Sequence, residues 1–318
     1  MAIAPRSVHH MTTWFERIEE LRESWERHAS GFPSIMRLDQ RPVTWRTVAD
    51  IPQNTQDVVV VDVRAPDLAR LGEFPAIEAL SLAGEAGNAV LKIVGKLSSL
   101  RSLVLHKKKN TDLTPLSSLT RLEHLTLGGP DITSLKPITT LRRLDTLALT
   151  DLTKLTNIDE IAVLDHLRWL LIGGGMWSKH HLESLKPLAS LTNLECFLLI
   201  STHVKDGSLE PLTTLSRLRY LGIPNYFAIT EFAAVAAALP DTIGHLRSPW
   251  FVEPRATDKF DHAACKKCRE YAPGMTIGKP RKLLCPKCHA ERIAKHIAHW
   301  NFLVSAERDR RRASKAST

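Results

Sequence analysis

Four cysteines near the end of the 318-residue chain have a spacing that suits metal chemistry. They form two Cys-x-x-Cys pairs, Cys265/Cys268 and Cys285/Cys288, with sixteen residues between the pairs. Each pair fits one tight turn, and the residues between the pairs are enough for a short hairpin. Four thiolates brought together in this way bind one tetrahedral ion. The predicted cofactor is therefore a structural Zn²⁺ held by all four cysteines.

Cysteines with this spacing could also form disulfides, a redox-active pair or an iron site. Disulfides are disfavoured, because the N-terminal stretch MAIAPRSVHHMTTWFERIEE becomes charged too early for a signal peptide and predicts a cytoplasmic protein. A thioredoxin-type redox pair would open a helix inside a βαβ unit, and neither pair has that context. An iron–sulfur cluster or a single iron is the alternative that the four ligands leave open. Cys196, the fifth cysteine, is expected to be a packing residue.

The sequence contains none of three common catalytic motifs that would indicate an enzyme. The sequence has no G-x-S-x-G, no GK[ST] after the three glycines at 173–175, and no H-E-x-x-H around His180. A four-cysteine site is coordinatively closed, so it offers no position for an activated water. The chain is therefore predicted to be non-catalytic.

A repeated leucine pattern dominates the elements that must position this site. L-x-x-L-x-x-L-x-L recurs, with copies that begin 22 to 27 residues apart. In each copy the last two apolar residues alternate with polar or small ones, which predicts a short strand with one buried face. Because one such coil cannot bury its own leucines, the copies are expected to stack into a solenoid. The copies begin at Phe74, Leu97, Leu119, Leu141, Leu164, Leu191 and Leu215.

This pattern resembles the leucine-rich repeat family, most closely its 22-residue internalin-like subtype, over about residues 57–229. The resemblance implies an α/β solenoid, a leucine-rich repeat horseshoe with its strands on the concave face. The four-cysteine motif is similar to zinc ribbons. The chain departs from the family where an Asn usually closes the strand turn, since these positions hold Lys108, Pro130, Leu152 and Gly175.

Helical patterns flank the repeats. The stretch TWFERIEELRESWERHA from Thr13 is amphipathic and is predicted to cap the stack, with a partner-binding helix as the alternative. TEFAAVAAALP, from Thr230, predicts a second cap, and a helix follows Cys288. The predicted domains are an N-terminal helical cap (1–56), the repeats (57–229), a helical C-cap and linker (230–254), and a zinc ribbon with a basic helix (255–318).

The concave face and two long loops are the predicted sites for a protein partner. Alternate strand residues become large and apolar from Trp169 onward, through Leu171 and Leu198 to Tyr220. The alternative is that the C-terminal segment of this chain covers them. The two longest repeats place extra residues on one edge of the stack, and loops lengthened in this way often bind partners. The loop candidates are Met176, Trp177, His180 and His203.

Positive charge is concentrated at the C-terminal end. The net charge is +9, and residues 255–318 contain 16 Lys and Arg against 6 Asp and Glu. The main hypothesis is a cytoplasmic scaffold that binds a protein partner through its repeats, with no membrane association. The alternative is a nucleic-acid-associated protein anchored by its basic end, and a merely solubilising tail is also open. The nucleic-acid candidates are Lys266, Lys267, Arg281, Lys282, Arg310, Arg311 and Arg312.

Overall fold

A computed structural model describes residues 44–45, 47–61, 65–83, 87–106, 112–129, 131–174, 180–244, 249–251, 265–270 and 273–316. The predicted N-terminal helix from Thr13 lies outside these residues, as do Met176 and Trp177. Among the described helices, none combines the length and the apolar character that crossing a membrane requires.

One parallel sheet runs through the repeats, with one short strand from each. In chain order the described strands are β1 (Thr44–Trp45), β2 (Asp57–Val61), β3 (Ala79–Ala83), β4 (Ser102–His106), β5 (His124–Gly128), β6 (Thr146–Thr150), β7 (Trp169–Gly173), β8 (His180–Leu182), β9 (Cys196–Ile200), β10 (Thr202–Val204), β11 (Tyr220–Gly222), β12 (Ile243–Gly244), β13 (Trp250–Phe251), β14 (Gly274–Thr276) and β15 (Leu283–Leu284). The ten-stranded sheet has the order β1-β2-β3-β4-β5-β6-β7-β9-β11-β12.

Short helices form the side opposite the sheet. Four of the five 3-10 helices between β4 and β11 carry a proline in their first turn, where its missing N–H costs nothing. The 3-10 helices are Val48–Asp50, Ala69–Glu73, Thr114–Ser118, Lys136–Thr140, Asp159–Val163, Lys186–Ser190 and Glu210–Thr214. The α-helices are α1 (Ala65–Leu68), α2 (Asn88–Val94), α3 (Ile229–Ala238) and α4 (Ala290–Ala316). The helix predicted from Thr230 is therefore present as α3.

The core consists of leucine rows that run from repeat to repeat. Leu103 lies opposite Leu125, and Leu125 lies opposite Leu147, because each strand is in register with the next. All three side chains are buried. Full burial of such a side chain stabilises the fold by roughly 1.5–3 kcal/mol, which each repeat gains only by contact with its neighbours. The predicted solenoid of leucine-rich repeats is confirmed.

A row of hydroxyl groups links the short helices of successive repeats. Ser118 donates to the carbonyl of Gly95, and Thr140 donates to the carbonyl of Ser117. Ser190 and Thr214 make the equivalent bonds to Ala162 and Ala189. Val163 occupies the same position in its own repeat and is exposed. These hydroxyls satisfy carbonyl groups that short helices leave without an intrahelical partner.

Charged residues immediately before the strands pair across repeats. Arg101 lies between Glu123, at 2.8 Å, and Glu78, at 3.9 Å. Arg168 lies between Glu195, at 2.8 Å, and Asp145, at 3.6 Å. Such partly exposed pairs contribute only about 0.2–1 kcal/mol each. Opposite charges at equivalent positions also favour the observed register of the stack.

Candidate metal centre and partner surfaces

The four predicted metal-binding cysteines come together at one point. The Sγ atoms of Cys265, Cys268, Cys285 and Cys288 all lie within 4.8 Å of one another. Two of these separations are 3.9 Å, between Cys265 and Cys288, and 3.6 Å, between Cys268 and Cys285. A tetrahedral ion with metal–sulfur bonds of about 2.3 Å requires sulfurs about 3.8 Å apart, whereas a disulfide requires about 2.05 Å. The donor set therefore fits a metal ion, and the five cysteines, all among the described residues, form no disulfide.

Each Cys-x-x-Cys pair is held by one closed turn. In the first turn, the Arg269 N–H donates to the Cys265 carbonyl at 2.8 Å. Arg269 has a φ of 57°, in the left-handed region, which lets the chain reverse directly after Cys268. In the second turn, the His289 N–H donates to the Cys285 carbonyl at 3.0 Å, and α4 begins at the next residue.

A small antiparallel sheet supports the two turns. Its strand order is β13-β14-β15. The indole of Trp250 lies over Gly274, where a Cβ would come within 2.4 Å of the ring, and its Nε1–H donates to the Leu284 carbonyl at 3.2 Å. Residues 265–289 with this sheet are called the four-cysteine module below.

The thiols differ in acidity because their surroundings differ. Backbone N–H groups of Cys268 and Lys267 donate to the Cys265 sulfur and hold the pKa of that thiol below its ordinary value. Desolvation, followed by hydrogen bonds with Cys268 and the other two thiols, raises the pKa of Cys288 to about 12. Four adjacent thiolates repel one another, so a divalent cation at their centre is what would stabilise the fully ionised set.

The module is attached to the last repeat through a hairpin between β14 and β15. The Asn225 side chain donates to the Thr276 carbonyl at 2.9 Å and accepts from the Gly278 N–H at 2.7 Å. The Lys279 N–H donates to the Phe227 carbonyl at 2.9 Å. At Gly278, with a φ of 78°, a Cβ would lie 2.6 Å from the Cα of Ile229. The backbone of the hairpin thus lies directly against the start of α3.

Helix α4 packs along α3 and extends this attachment. Trp300 and Val304 are buried and belong to the same core cluster as the repeat leucines. Near the end of α4, Arg311 contacts Glu210 at 3.3 Å and Glu307 at 2.7 Å. Ile297, on the same helix, is exposed.

The apolar residues predicted to form an exposed row lie on the sheet face opposite the core, called the open face below. Leu171, Leu198 and Tyr220 are only 8%, 4% and 4% exposed, so the expected exposure is corrected for these three. They pack against one another because neighbouring strands are in register, with Leu171 opposite Leu198. Trp169 is half-buried beside this cluster, which also contains Cys196. Burial raises the pKa of the Cys196 thiol strongly, consistent with the predicted packing role.

The two long repeats form a second, two-stranded parallel sheet of β8 and β10, in segments that were predicted to be loops. His180 is fully buried there, and its Nε2–H donates to the Leu155 carbonyl at 2.6 Å. Its predicted role as a partner contact is corrected to a structural one, because a buried ring cannot reach a partner. Burial lowers its pKa. His203 is exposed and stacks on Tyr226, with ring centroids 5.3 Å apart.

The nucleic-acid candidates fall into two groups. Arg310 pairs with Glu307 at 2.6 Å, and Arg311 is tied to Glu210 and Glu307, so these two already have acidic partners. Arg312 lies 4.0 Å from Asp309 and is strongly exposed. The candidates on the four-cysteine module are all exposed, and these are Lys266, Lys267, Arg281 and Lys282.

Known proteins provide only distant comparisons. No protein-family model matches the chain, and no curated protein matches it. An internalin of Listeria monocytogenes aligns with a TM-score of 0.44 and 24% identity, over 55% of this chain and 49% of its own. Internalin C2 of the same species aligns with a TM-score of 0.40 and 24% identity, over 48% and 64%. A leucine-rich repeat protein of Leptospira interrogans aligns with a TM-score of 0.43 and 18% identity, over 63% and 57%. The aligned parts thus span about half to two thirds of these structures.

Proposed function

We propose that this chain is a non-catalytic scaffold whose leucine-rich repeats bind a partner protein through the open face of the sheet. The observation that carries the proposal is the apolar cluster around Trp169, which lies outside the main core. A half-buried Trp supported by packed neighbours is the typical anchor of a protein interface. Leu171, Leu198 and Tyr220 then serve to hold the indole in place rather than to meet the partner themselves.

The surroundings of Trp169 suit a protein partner better than a small molecule. Val104 and Thr126, on the same face, are half-exposed and belong to strands of one continuous hydrogen-bonded sheet. A wide and rigid surface of this kind loses little conformational entropy when it binds another surface. His203, exposed on β10 of the second sheet, is a further candidate contact.

The metal part of the proposal is a structural Zn²⁺ bound by Cys265, Cys268, Cys285 and Cys288. The ion would cross-link the two Cys-x-x-Cys turns. It would have no open coordination position, because four thiolates fill a tetrahedral coordination sphere. Thiols that serve as metal ligands suit a reducing compartment, and we therefore propose a cytoplasmic location. The module and α4 would close the C-terminal end of the array, since both contact α3 and the last repeat.

Photo-crosslinking tests the partner surface. A photoreactive amino acid placed at Thr126, on the open face, should give discrete crosslinked products in cells. The same group at Val163, exposed on the opposite side, is the matched control and should not give those products. Trp169→Ala should abolish the Thr126 products while urea unfolding shows an intact array. Identical products from both positions would refute the proposed face.

Native mass spectrometry tests the metal. One zinc per chain is expected, lost in Cys285→Ser and kept in Cys196→Ser, which removes a thiol from the repeats instead. Iron in place of zinc would identify the other metal that four cysteines can hold. Chains without metal, in protein purified under reducing conditions, would contradict the assignment.

A further inference from the structure

The positive charge of the C-terminal region is concentrated on the four-cysteine module and the first half of α4. Residues 265–299 contain nine Lys and Arg but only two acidic residues, Glu270 and Glu291. In the part of the chain that the structure describes, Lys287 is the one of these nine with an acidic partner, Glu270, at 2.5 Å. The second half of α4 differs, because its acidic residues pair with its arginines. The module therefore presents an excess of positive charge, which remains even when the negative charge of four thiolates around a divalent ion is counted.

An exposed stripe on α4 continues this charge. Arg292, Lys295, His299 and Phe302 follow at helical spacing and are all exposed. They lie opposite the side of the helix that packs on α3 through Trp300. Phe302 is 67% exposed, the most exposed of the large apolar side chains that the structure describes. A Phe this exposed does not stabilise the fold by burial, and its ring is available to a ligand.

The β14–β15 hairpin and α4 are connected through the small sheet. The Pro249 carbonyl accepts the N–H of Ile277, the residue that follows β14, at 2.8 Å. His296 also contacts the Pro249 carbonyl through Nε2 at 2.9 Å, which fixes the helix beside the small sheet. Arg281 and Lys282 are exposed on the hairpin. Basic side chains are therefore exposed on two elements that the Pro249 carbonyl holds close together.

We propose that this surface, formed by Arg281, Lys282, Arg292, Lys295, His299 and Phe302, binds single-stranded nucleic acid. The lysines and arginines would contact phosphates, and the Phe302 ring would stack on a base. Phosphate contact accounts for unpaired positive charge on a folded module. The exposed ring selects a single strand, because only an unstacked base offers its face to a side chain. This site shares no residue with the proposed protein-binding face, so an experiment can refute either proposal without affecting the other.

Fluorescence anisotropy with the full-length, metal-replete protein tests the proposal. A labelled 20-nucleotide oligo(U) should bind at 0.1 M salt, with an affinity that falls steeply as salt rises. Lys282→Glu with Lys295→Glu should weaken binding at least about tenfold, because two phosphate contacts become repulsive. Arg121→Glu with Arg143→Glu makes the same change in net charge at exposed positions of the repeats and should have much less effect.

The aromatic contact has its own test. Phe302→Ala should weaken binding roughly 5- to 100-fold without changing the salt dependence, and Phe302→Trp should restore it. Both substitutions lie on an exposed position, and retained zinc and helical content would confirm that the variants are folded. Absence of binding at 0.1 M salt, or equal losses in the two charge-reversed pairs, would overturn the proposal. Tighter binding of a duplex of matched sequence, with an affinity that Phe302→Ala does not change, would also overturn it. Full displacement of the oligonucleotide by poly-glutamate at equal charge concentration would do the same.

Discussion

Replacing Asn225 by leucine should loosen the four-cysteine module from the last repeat. Leucine keeps the shape of Asn but removes both the donor to the Thr276 carbonyl and the acceptor for the Gly278 N–H. A lost hydrogen bond costs about 0.5–1.5 kcal/mol, and a buried backbone group left without a partner costs about 1–3 kcal/mol. For two partly buried bonds we expect a total of about 2–4 kcal/mol.

Hydrogen exchange measures this loss where it occurs. A cost of 2–4 kcal/mol corresponds to a roughly 30- to 700-fold faster exchange of the Gly278 amide, at about 1.4 kcal/mol for each factor of ten. Asn193→Leu is the matched control, because Asn193 also donates to a carbonyl, that of Asp165, and accepts from Arg217, but within the repeats. It should leave the exchange of Gly278 unchanged. Unchanged exchange in Asn225→Leu would show that the remaining contacts, such as that of Lys279 with Phe227, hold the hairpin without Asn225.

Three further predictions follow from the described contacts. Val163→Thr should raise the free energy of unfolding by about 0.5–1.5 kcal/mol in urea titrations, because it adds the missing hydroxyl of the row formed by Ser118 and its equivalents; a decrease would contradict the role given to that row. Burial lowers the pKa of His180 below its ordinary value of 6.5, so the unfolded chain binds a proton more readily, and stability present above about pH 6.5 should fall as the pH decreases. His180→Gln should reduce the difference in unfolding free energy between pH 7.5 and 5.0, and an unchanged difference would exclude this histidine as a source. A strong chelator should expose the indole of Trp250 to quenchers while the circular dichroism of the repeats changes little, whereas an equal loss of both signals would mean that the array depends on the metal throughout.

The sequence predicts well those features that one repeat imposes on the next. Apolar residues such as Leu103 and Leu125 recur at a fixed spacing, so their register and burial can be read directly. The metal site of the four cysteines can be predicted equally well, because cysteines at this spacing have few other roles. Even the hydroxyl row has a sequence signal, since Ser or Thr recurs just before the first leucine of several copies, but the pattern is easily taken for a polar surface.

Features that depend on distant contacts could not be predicted. The strands around His180 and His203 are three residues each, too short for alternation to separate a strand from a loop. The pairing of Arg311 with Glu210 spans 101 residues, and nothing local distinguishes this arginine from exposed Arg312. The burial of Tyr220 was missed for another reason, because its packing with Cys196 and Leu198 of the neighbouring repeat leaves no signal in its own repeat.

The position of the metal centre indicates how a loss of metal would spread through the fold. The main core cluster is continuous from Val48 in the first described repeats to Ile277 in the module and Val304 in α4. A stack of repeats transmits stability mainly between neighbours, so each repeat depends on the next one more than on the whole. Structural zinc contributes on the order of 10–16 kcal/mol of apparent binding energy to small modules. Zinc binding would therefore stabilise one end of the array, through the hydrogen bonds of Asn225 and the packing of α4 on α3. Removal of the metal should therefore loosen the array at its β11 end and leave the repeats around β4 folded, rather than unfold the chain in a single cooperative step.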